Sequence, residues 1–313
     1  MVEIEAQNLN MPSVPDPGER PHLGLVCVTA SEEVRFRTIT RTRYLKLSAT
    51  EKEVTLQALY HDNLERLHRA LSFCEQHQIK LYRLSSDLFP QSDDEFGTNI
   101  LEEMADEMGQ IGERAREIGI RLVLHPDQFV VLNSESPQIV ENSRKILDRH
   151  ARNLDLFGLE RSAWAVMMIH GGKGNRSEQL IQTIGEIPEG VRCRLALEND
   201  EYTYSAAAIL NICHKAGVPM VFDVHHYVCN LGLDSYEDPG LAEMLAAARQ
   251  TWPKPEWQLV HLSNGKEAFG DRRHSDFIEL VPGALRNAPW IEVEAKAKEQ
   301  AIAHLRLNWP IAD

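Results

Sequence analysis

Eight short apolar runs alternate with helical patterns along this chain, and the alternation restricts its fold more than any other sequence feature. Each run is too short for a helix and is typical of a buried parallel strand. The runs are residues 23–28, 80–84, 121–124, 164–169, 194–197, 220–222, 257–262 and 290–293. In a chain of 313 residues, eight βα units predict an α/β fold closed as a (β/α)8 TIM barrel, rather than an open doubly wound sheet.

Local signals mark where several helices begin and end. Ser48 with Glu51 predicts a capping box that opens a helix running to about residue 77. Ser136, followed by proline, starts a helix that ends at Gly158. The other helices are expected over 99–119, from 177 onward, and over 205–217, 239–249, 276–280 and 295–305.

Composition predicts one soluble globular domain. Residues 1–21 are polar and rich in proline, which predicts a flexible N-terminal arm before a single barrel domain over 22–313. No apolar run approaches the ~20 residues of a membrane helix, and no signal-peptide pattern is present. The five cysteines are odd in number and form no CxxC pair. We therefore expect reduced thiols in a cytoplasmic protein, which we also expect to be a monomer.

A basic segment stands out against the overall charge of −14. That net charge argues against broad electrostatic binding to nucleic acid. The segment nevertheless carries several cations and no acid, with two aromatic residues between them: Arg35, Phe36, Arg37, Arg41, Arg43, Tyr44 and Lys46. It is either a loop that contacts phosphates or a solvated basic loop.

Imidazoles and carboxylates follow the predicted strands. Because the active sites of such barrels lie at the C-terminal strand ends, these side chains are expected to meet at one mouth. They are His125, His170, Glu198, Asp223, His226, His261, His274 and Glu294. Three carboxylates buried together need cations, and imidazole with carboxylate suits Zn, Mn, Fe or Co. Eight candidates are enough for two or three divalent ions, the arrangement used for phosphodiester hydrolysis.

Smaller signals surround this predicted mouth. Lys173 lies among three glycines in a loop that would bring it close to a phosphate, although the same pattern also suits a tight turn. This loop is not a Walker motif, so no nucleotide cofactor is expected. Asn264 and Lys266 belong to a similar loop after the seventh strand. Gln128 and Phe129 would probe a base by hydrogen bonding and stacking. No strong nucleophilic side chain is indicated, so water is the expected attacking group.

The order of these motifs, LGLVCVT, YRLSSDLFP, HPDQF, HGGKGN, LEND, DVHH, VHLSNG, HSD and VEAKAKE, resembles the ultraviolet damage endonuclease family. The resemblance implies a TIM barrel related to endonuclease IV and xylose isomerase. It implies incision of duplex DNA 5′ to a photoproduct, either a cyclobutane dimer or a 6-4 photoproduct, and extension to abasic sites, leaving a 3′ hydroxyl and a 5′ phosphate. It also implies a three-metal site that commonly works with manganese, with zinc or magnesium as alternatives.

Site roles carried over from the family fall on particular residues of this chain. The implied metal ligands are the eight strand-end residues, and Gln128 with Phe129 takes the place of a lesion-probing Gln–Tyr pair. Apart from what the resemblance implies, we expect Glu198, Glu294, His261 and Lys173 to be the catalytic residues. The basic segment makes Arg35, Arg37, Arg41 and Arg43 the expected DNA contacts.

Three positions depart from the family pattern. Leu25 replaces a tyrosine that wedges into DNA, and an apolar side chain can still act as such a wedge. Asp93 stands where the family often has a histidine, and its oxygens would still bind a metal. Leu259 replaces a lysine that is carboxylated in some members, which removes a possible ligand of the third metal.

Two other interpretations fit the same residues. A sugar isomerase of the xylose isomerase type shares the barrel, the carboxylates and the divalent metals, but it needs fewer histidine ligands and no arginine loop. The departures at Asp93 and Leu259 also suit a homologue that binds lesions without cutting DNA.

Overall fold

Eight parallel strands pair in chain order and close into a barrel in the computed structural model, which describes residues 21–126 and 129–309. The strands are β1 His22–Val26, β2 Leu81–Leu84, β3 Arg121–Leu124, β4 Met167–His170, β5 Leu195–Glu198, β6 Met220–Asp223, β7 Leu259–Leu262 and β8 Trp290–Val293. The barrel prediction is therefore confirmed. The expected arm over residues 1–21 falls almost wholly outside the described residues.

Helices fill the connections between the strands. They are α1 Arg41–Tyr44, α2 Ala49–Gln76, α3 Glu95–Glu103, α4 Ala105–Glu117, α5 Pro137–Leu156, α6 Ser177–Gly185, α7 Glu189–Arg192, α8 Ala206–Ala216, α9 Val224–Leu231, α10 Pro239–Arg249 and α11 Glu299–Asn308. The predicted capping box of Ser48 and Glu51 opens α2. Gly217 ends α8 with a φ of +68°, a left-handed conformation that suits glycine.

Three helix predictions were wrong. The helix expected over 295–305 begins at Glu299. The helix expected from residue 99 begins at Glu95 instead, because the side chain of Asp94 accepts a hydrogen bond from the backbone N–H of Phe96. The segment 276–280 is irregular rather than helical. There the side chain of Asn264 accepts hydrogen bonds from the backbone N–H groups of Glu279 and Leu280, at 2.8 and 2.9 Å. These bonds replace those that a helix would have made.

Alternate residues of each strand face opposite sides of the barrel wall. One set packs outward against the helices in the main core and includes Leu25. The other set fills the barrel interior with a separate apolar cluster. From the strands that cluster contains Leu81, Val123, Met168, Ala196, Val221, Leu259 and Trp290. Arg83, Glu198, His261 and Glu292 follow two residues later on their strands, so charged and polar groups lie above an apolar floor.

All five cysteines lie in the described part of the chain and are unpaired, as predicted. Among the described helices, none is both long and apolar enough to cross a bilayer.

His150 on α5 gives the fold a predicted sensitivity to acid. Burial, and to a smaller extent the neighbouring Arg149, lowers the pKa of this imidazole to about 3. Below about pH 6.5 the unfolded chain therefore binds a proton at this imidazole that the folded chain does not bind. The free energy of unfolding consequently decreases as the pH falls below 6.5. We expect this residue to cost roughly 2 kcal/mol of unfolding free energy at pH 5 relative to pH 7.

Urea unfolding at pH 7 and pH 5 measures this effect. His150→Gln should reduce the difference between the two pH values by about that amount, whereas His214→Gln, at an exposed histidine on α8, should leave it unchanged. An equal pH dependence in wild type and His150→Gln would contradict the assignment.

Candidate metal centre

Seven of the eight expected ligands form three groups at the C-terminal mouth of the barrel. Within each group, one potential ligand atom per residue lies within 4.8 Å of the others. The groups are His125–His170–Glu198, Glu198–Asp223–His226 and Asp223–His261–Glu294. Glu198 and Asp223 each belong to two groups, so each would bridge two neighbouring ions. His274, the eighth residue, places Nδ1 3.9 Å from Oε2 of Glu294.

Glu198 lies at the centre of this arrangement. It ends β5 with its side chain only 2% exposed, and four imidazoles surround its carboxylate. Oε1 is 3.0 Å from Nδ1 of His261 and 3.5 Å from Nδ1 of His226. Oε2 is 3.3 Å from Nε2 of His125 and 4.0 Å from Nε2 of His170. The four histidines follow or end separate strands, with His226 in the first turn of α9, and the closed barrel brings them together.

The mouth is strongly charged when no metal is present. Burial would raise the pKa of the Glu198 carboxyl, but His261 and His170 outweigh it and hold this pKa well below its usual range. Burial would likewise lower the pKa of His226, yet Asp223 and Glu198 raise it to about 9. Ionised carboxylates thus hold protonated imidazoles, and a bound cation would take the place of those protons.

Three buried atoms of these residues make no hydrogen bond within the described parts of the chain. They are Oε2 of Glu198, Oδ2 of Asp223 and Nδ1 of His170. Buried polar atoms without partners are uncommon in native structures because they lose solvation without compensation. Carboxylate oxygen and imidazole nitrogen are also donors that suit divalent Mn, Zn, Fe or Co. The residues present therefore fit a cluster of divalent ions.

A cavity of about 590 Å³ opens above the cluster and is lined by six of the candidate ligands. Lys173 lies at its rim and is exposed. Glu201 and Tyr202, in the loop after β5, line it as well, and neither was predicted. Oε2 of Glu201 is 3.6 Å from Nε2 of His226. The Tyr202 ring is 67% exposed, and the guanidinium of Arg272 lies 4.3 Å from its centroid.

A neighbouring recess of about 440 Å³ includes Phe129 and Cys27. Phe129 is 71% exposed, so its aromatic face is open to a ligand. Gln128, its expected partner in lesion probing, lies outside the described residues. Cys27 directly follows β1 with a left-handed φ of 62°, and burial raises the pKa of its thiol to about 11.

The basic segment is only partly available for phosphate contacts. Arg37 pairs with Asp62 at 3.5 Å, and Arg41 pairs with Asp93 at 3.2 Å. Tyr44 is fully buried and Phe36 packs against the core. Neither ring is therefore exposed for stacking on a ligand. Arg43 and Lys46 are exposed, whereas Arg35 is partly buried.

Two expectations about the departures from the family pattern were wrong. Leu25 is fully buried in the outward-facing core, because Gly24 takes the inward position beside it on β1; the leucine is not placed to enter DNA. Asp93 pairs with Arg41 and lines a different cavity, beside α3 and α5, so it is not placed to bind the cluster. Leu259 belongs to the apolar floor below the mouth, where it offers no ligand atom.

Two charged residues inside the barrel were missed by the sequence analysis. Arg83 on β2 and Glu292 on β8 are buried directly below His261 and Glu294. Each is the single charged residue of its strand and lies two positions after an apolar residue of the barrel floor. A charged residue at an inward-facing strand position could have identified both residues from the sequence.

The chain resembles known nucleases over nearly its whole length. Residues 21–311 match the family described as UV-endonuclease UvdE. The chain is 59% identical to a UV DNA damage endonuclease of Nostoc sp. over 292 residues, which are 93% of this chain and 91% of that protein. It is 49% identical to a UV DNA damage endonuclease of Deinococcus radiodurans over 293 residues, 93% and 96% of the two chains. The crystal structure of SacUVDE matches with a TM-score of 0.76 at 25% identity, covering 92% of this chain and 98% of that one.

Metal binding should stabilise the folded protein. Adding Mn²⁺ to chelator-treated protein should raise the unfolding temperature, since a ligand at 100 times its dissociation constant contributes about 2.7 kcal/mol to stability. Asp223→Asn should remove most of this increase, because Asp223 belongs to two of the three groups.

Differential scanning calorimetry with and without Mn²⁺ gives the measurement. Asp148→Asn makes the same chemical change at an exposed position of α5 and serves as the control. No metal-dependent shift in the wild-type protein would exclude a metal cluster at this mouth.

Proposed function

Because this chain belongs to the UV-endonuclease UvdE family, we propose that it incises duplex DNA on the 5′ side of ultraviolet photoproducts by metal-dependent hydrolysis. DNA-repair endonuclease activity follows from the family itself. The observation that supports the finer proposal is the buried Glu198 carboxylate with four imidazoles around it, open to a cavity at the barrel mouth.

The three groups of ligands would hold two or three divalent ions, with Mn²⁺ as our first choice. When bound, such ions supply a hydroxide at neutral pH from a coordinated water and neutralise the charge of the phosphate. Glu198 and Asp223 would bridge neighbouring sites through their shared carboxylates. We expect Glu198, Glu294 and His261 to orient the reacting phosphodiester through this cluster.

Residues at the rim would hold the DNA. Lys173 stands beside the cavity in a glycine-rich loop, where Gly172 and Gly174 have φ values of 85° and 69°. These conformations allow the chain to turn tightly and present the lysine ammonium to a phosphate oxygen. Arg43 and Lys46 provide exposed charge farther out, and Arg37 and Arg41 would have to exchange their carboxylate partners for phosphates.

Exposed aromatic rings would recognise the damaged step. Phe129 presents its ring, and Tyr202 the ring face that Arg272 does not cover, at adjoining recesses beside the candidate ligands. A photoproduct stacks poorly in the duplex, so extruding it costs less than extruding an intact step. Stacking on these rings would then favour the damaged dinucleotide over an undamaged one.

The two alternative functions, a sugar isomerase and a lesion-binding protein that does not cut DNA, can be tested separately. The sugar isomerase interpretation has only the shared barrel and ligand types in its favour, because the family of this chain is a nuclease family. A lesion-binding homologue without incision remains distinguishable by experiment, since it would bind damaged duplex tightly and leave both strands intact.

A single-lesion incision assay tests the proposed reaction. A duplex oligonucleotide with one cyclobutane dimer, incubated with protein and Mn²⁺, should yield one cut 5′ to the dimer. A chelator should abolish the cut, and Glu198→Gln should reduce the rate at least 100-fold because it removes charge from the centre of the ligand cluster.

Glu53→Gln provides the matched control, since it makes the same substitution at an exposed position on α2. Cutting that persists in chelator, or that is equal on undamaged duplex, would contradict the proposal.

Phe129 is expected to contribute to selectivity rather than to chemistry. Phe129→Ala should weaken binding to dimer-containing duplex by about tenfold, in line with a stacking energy of roughly 1–3 kcal/mol per base. Phe129→Tyr keeps the aromatic face and should bind as wild type does. Fluorescence anisotropy with damaged and undamaged duplexes measures the difference, and an equal loss on both duplexes would exclude a role in lesion recognition.

A further inference from the structure

A buried ion pair lies directly below the candidate metal centre, inside the barrel. Arg83 on β2 and Glu292 on β8 are 7% and 0% exposed. Nε of Arg83 donates to both carboxylate oxygens of Glu292, at 3.0 and 3.1 Å, and Nη2 donates to Oε2 at 2.5 Å. A buried ion pair generally adds little stability compared with apolar residues of similar volume. Packing alone therefore gives little reason for charge at this position.

Both members of the pair also contact candidate ligands. Oε2 of Glu292 lies 2.7 Å from Nε2 of His261, below the imidazole ring, and Nη2 of Arg83, which can only donate, lies 2.9 Å from the same nitrogen. Nδ1, on the other side of the same ring, lies 3.0 Å from Oε1 of Glu198 and 3.5 Å from Oε1 of Glu294. Glu292 thus fixes His261 from below and leaves Nδ1 as the nitrogen that faces the other candidate ligands.

Arg83 similarly fixes the orientation of the Glu294 carboxylate. Its Nη2 donates to Oε1 of Glu294 at 2.6 Å, so that this oxygen is already engaged. The second oxygen, Oε2, lies on the side of His274, 3.9 Å from its Nδ1. A metal-binding histidine commonly donates its other N–H to a carboxylate, which sets the tautomer and the ring orientation. The His261–Glu292 contact has this geometry.

We propose that Arg83 and Glu292 are positioning residues that orient His261 and Glu294 as ligands of the metal group formed with Asp223. Glu292 accepts a hydrogen bond from Nε2 of His261 and so keeps the unprotonated Nδ1 toward the ion. Arg83 holds Glu292 and one oxygen of Glu294 in place. This inference rests on the proposed metal centre, and it concerns one of the three groups rather than all of them.

Equilibrium dialysis against Mn²⁺, followed by metal analysis, tests the inference without relying on activity. The main variant combines Arg83→Met with Glu292→Leu, which removes both charges together and leaves neither unpaired. We expect this variant to fold, to lose one equivalent of Mn²⁺ or to bind it about 10- to 100-fold more weakly, and to retain the remaining ions.

Two further variants separate positioning from stability. Glu292→Gln keeps an acceptor for Nε2 of His261 but loses the carboxylate charge, so it should bind the affected Mn²⁺ more weakly than wild type and more tightly than the double variant. It therefore provides a test even where the double variant does not fold. Arg194→Met removes another fully buried guanidinium, one that binds Asp155 and backbone carbonyls instead of candidate ligands. It should lower the unfolding temperature without changing the Mn²⁺ stoichiometry.

The outcomes distinguish this inference from the proposed function. Wild-type binding of two or three ions, together with unchanged stoichiometry and affinity in the double variant and in Glu292→Gln, would overturn the positioning role and leave the nuclease proposal intact. A wild-type protein that binds no divalent metal would overturn both.

Discussion

The burial of Glu198 within a ring of imidazoles is the interaction on which the arrangement of the barrel mouth depends. A carboxylate removed from water is costly unless cations or hydrogen-bond donors surround it. Four histidines from separate segments meet that requirement only after the barrel has closed. One carboxylate oxygen still lacks a hydrogen bond. The folded protein therefore already contains an electrostatic environment that matches a multivalent cation, and the proposed chemistry builds on it.

Most of the candidate ligands at this mouth could be predicted from the sequence because a barrel follows a simple rule. Polar residues that follow its buried strands converge at one end. That rule placed His125, Glu198 and Asp223 together from strand-end positions alone. The rule failed for Arg83 and Glu292 because they lie within their strands and not at the strand ends. A single charged residue among apolar ones does not by itself indicate a site. Their partners come from other strands and become visible only in the closed barrel.

Register explains the clearest error. Strand residues alternate between the inside and the outside of the barrel, so a shift of one position reverses the side on which a side chain lies. On β1 the inward position belongs to Gly24, where an added Cβ would come within 2.6 Å of the Leu81 side chain. Leu25 is consequently turned toward the helices. A run such as LGLV has no alternating polarity from which this orientation can be read. Two loop predictions also failed because of contacts between distant segments. Asp93, expected to bind a metal, pairs with Arg41, and Asn264 binds the backbone of the segment 276–280, which was expected to be helical.

The donor atoms of the three ligand groups bear on which metal ions the mouth would bind. The Cys27 thiol lines the same recess as His125 and Arg83, and burial raises its pKa to about 11. None of the three groups contains a cysteine, so within the described residues they offer oxygen and nitrogen donors without sulfur. Thiolates give metal sites a strong preference for soft ions such as Cu(I). A metal centre built from these groups would therefore discriminate weakly among borderline divalent ions.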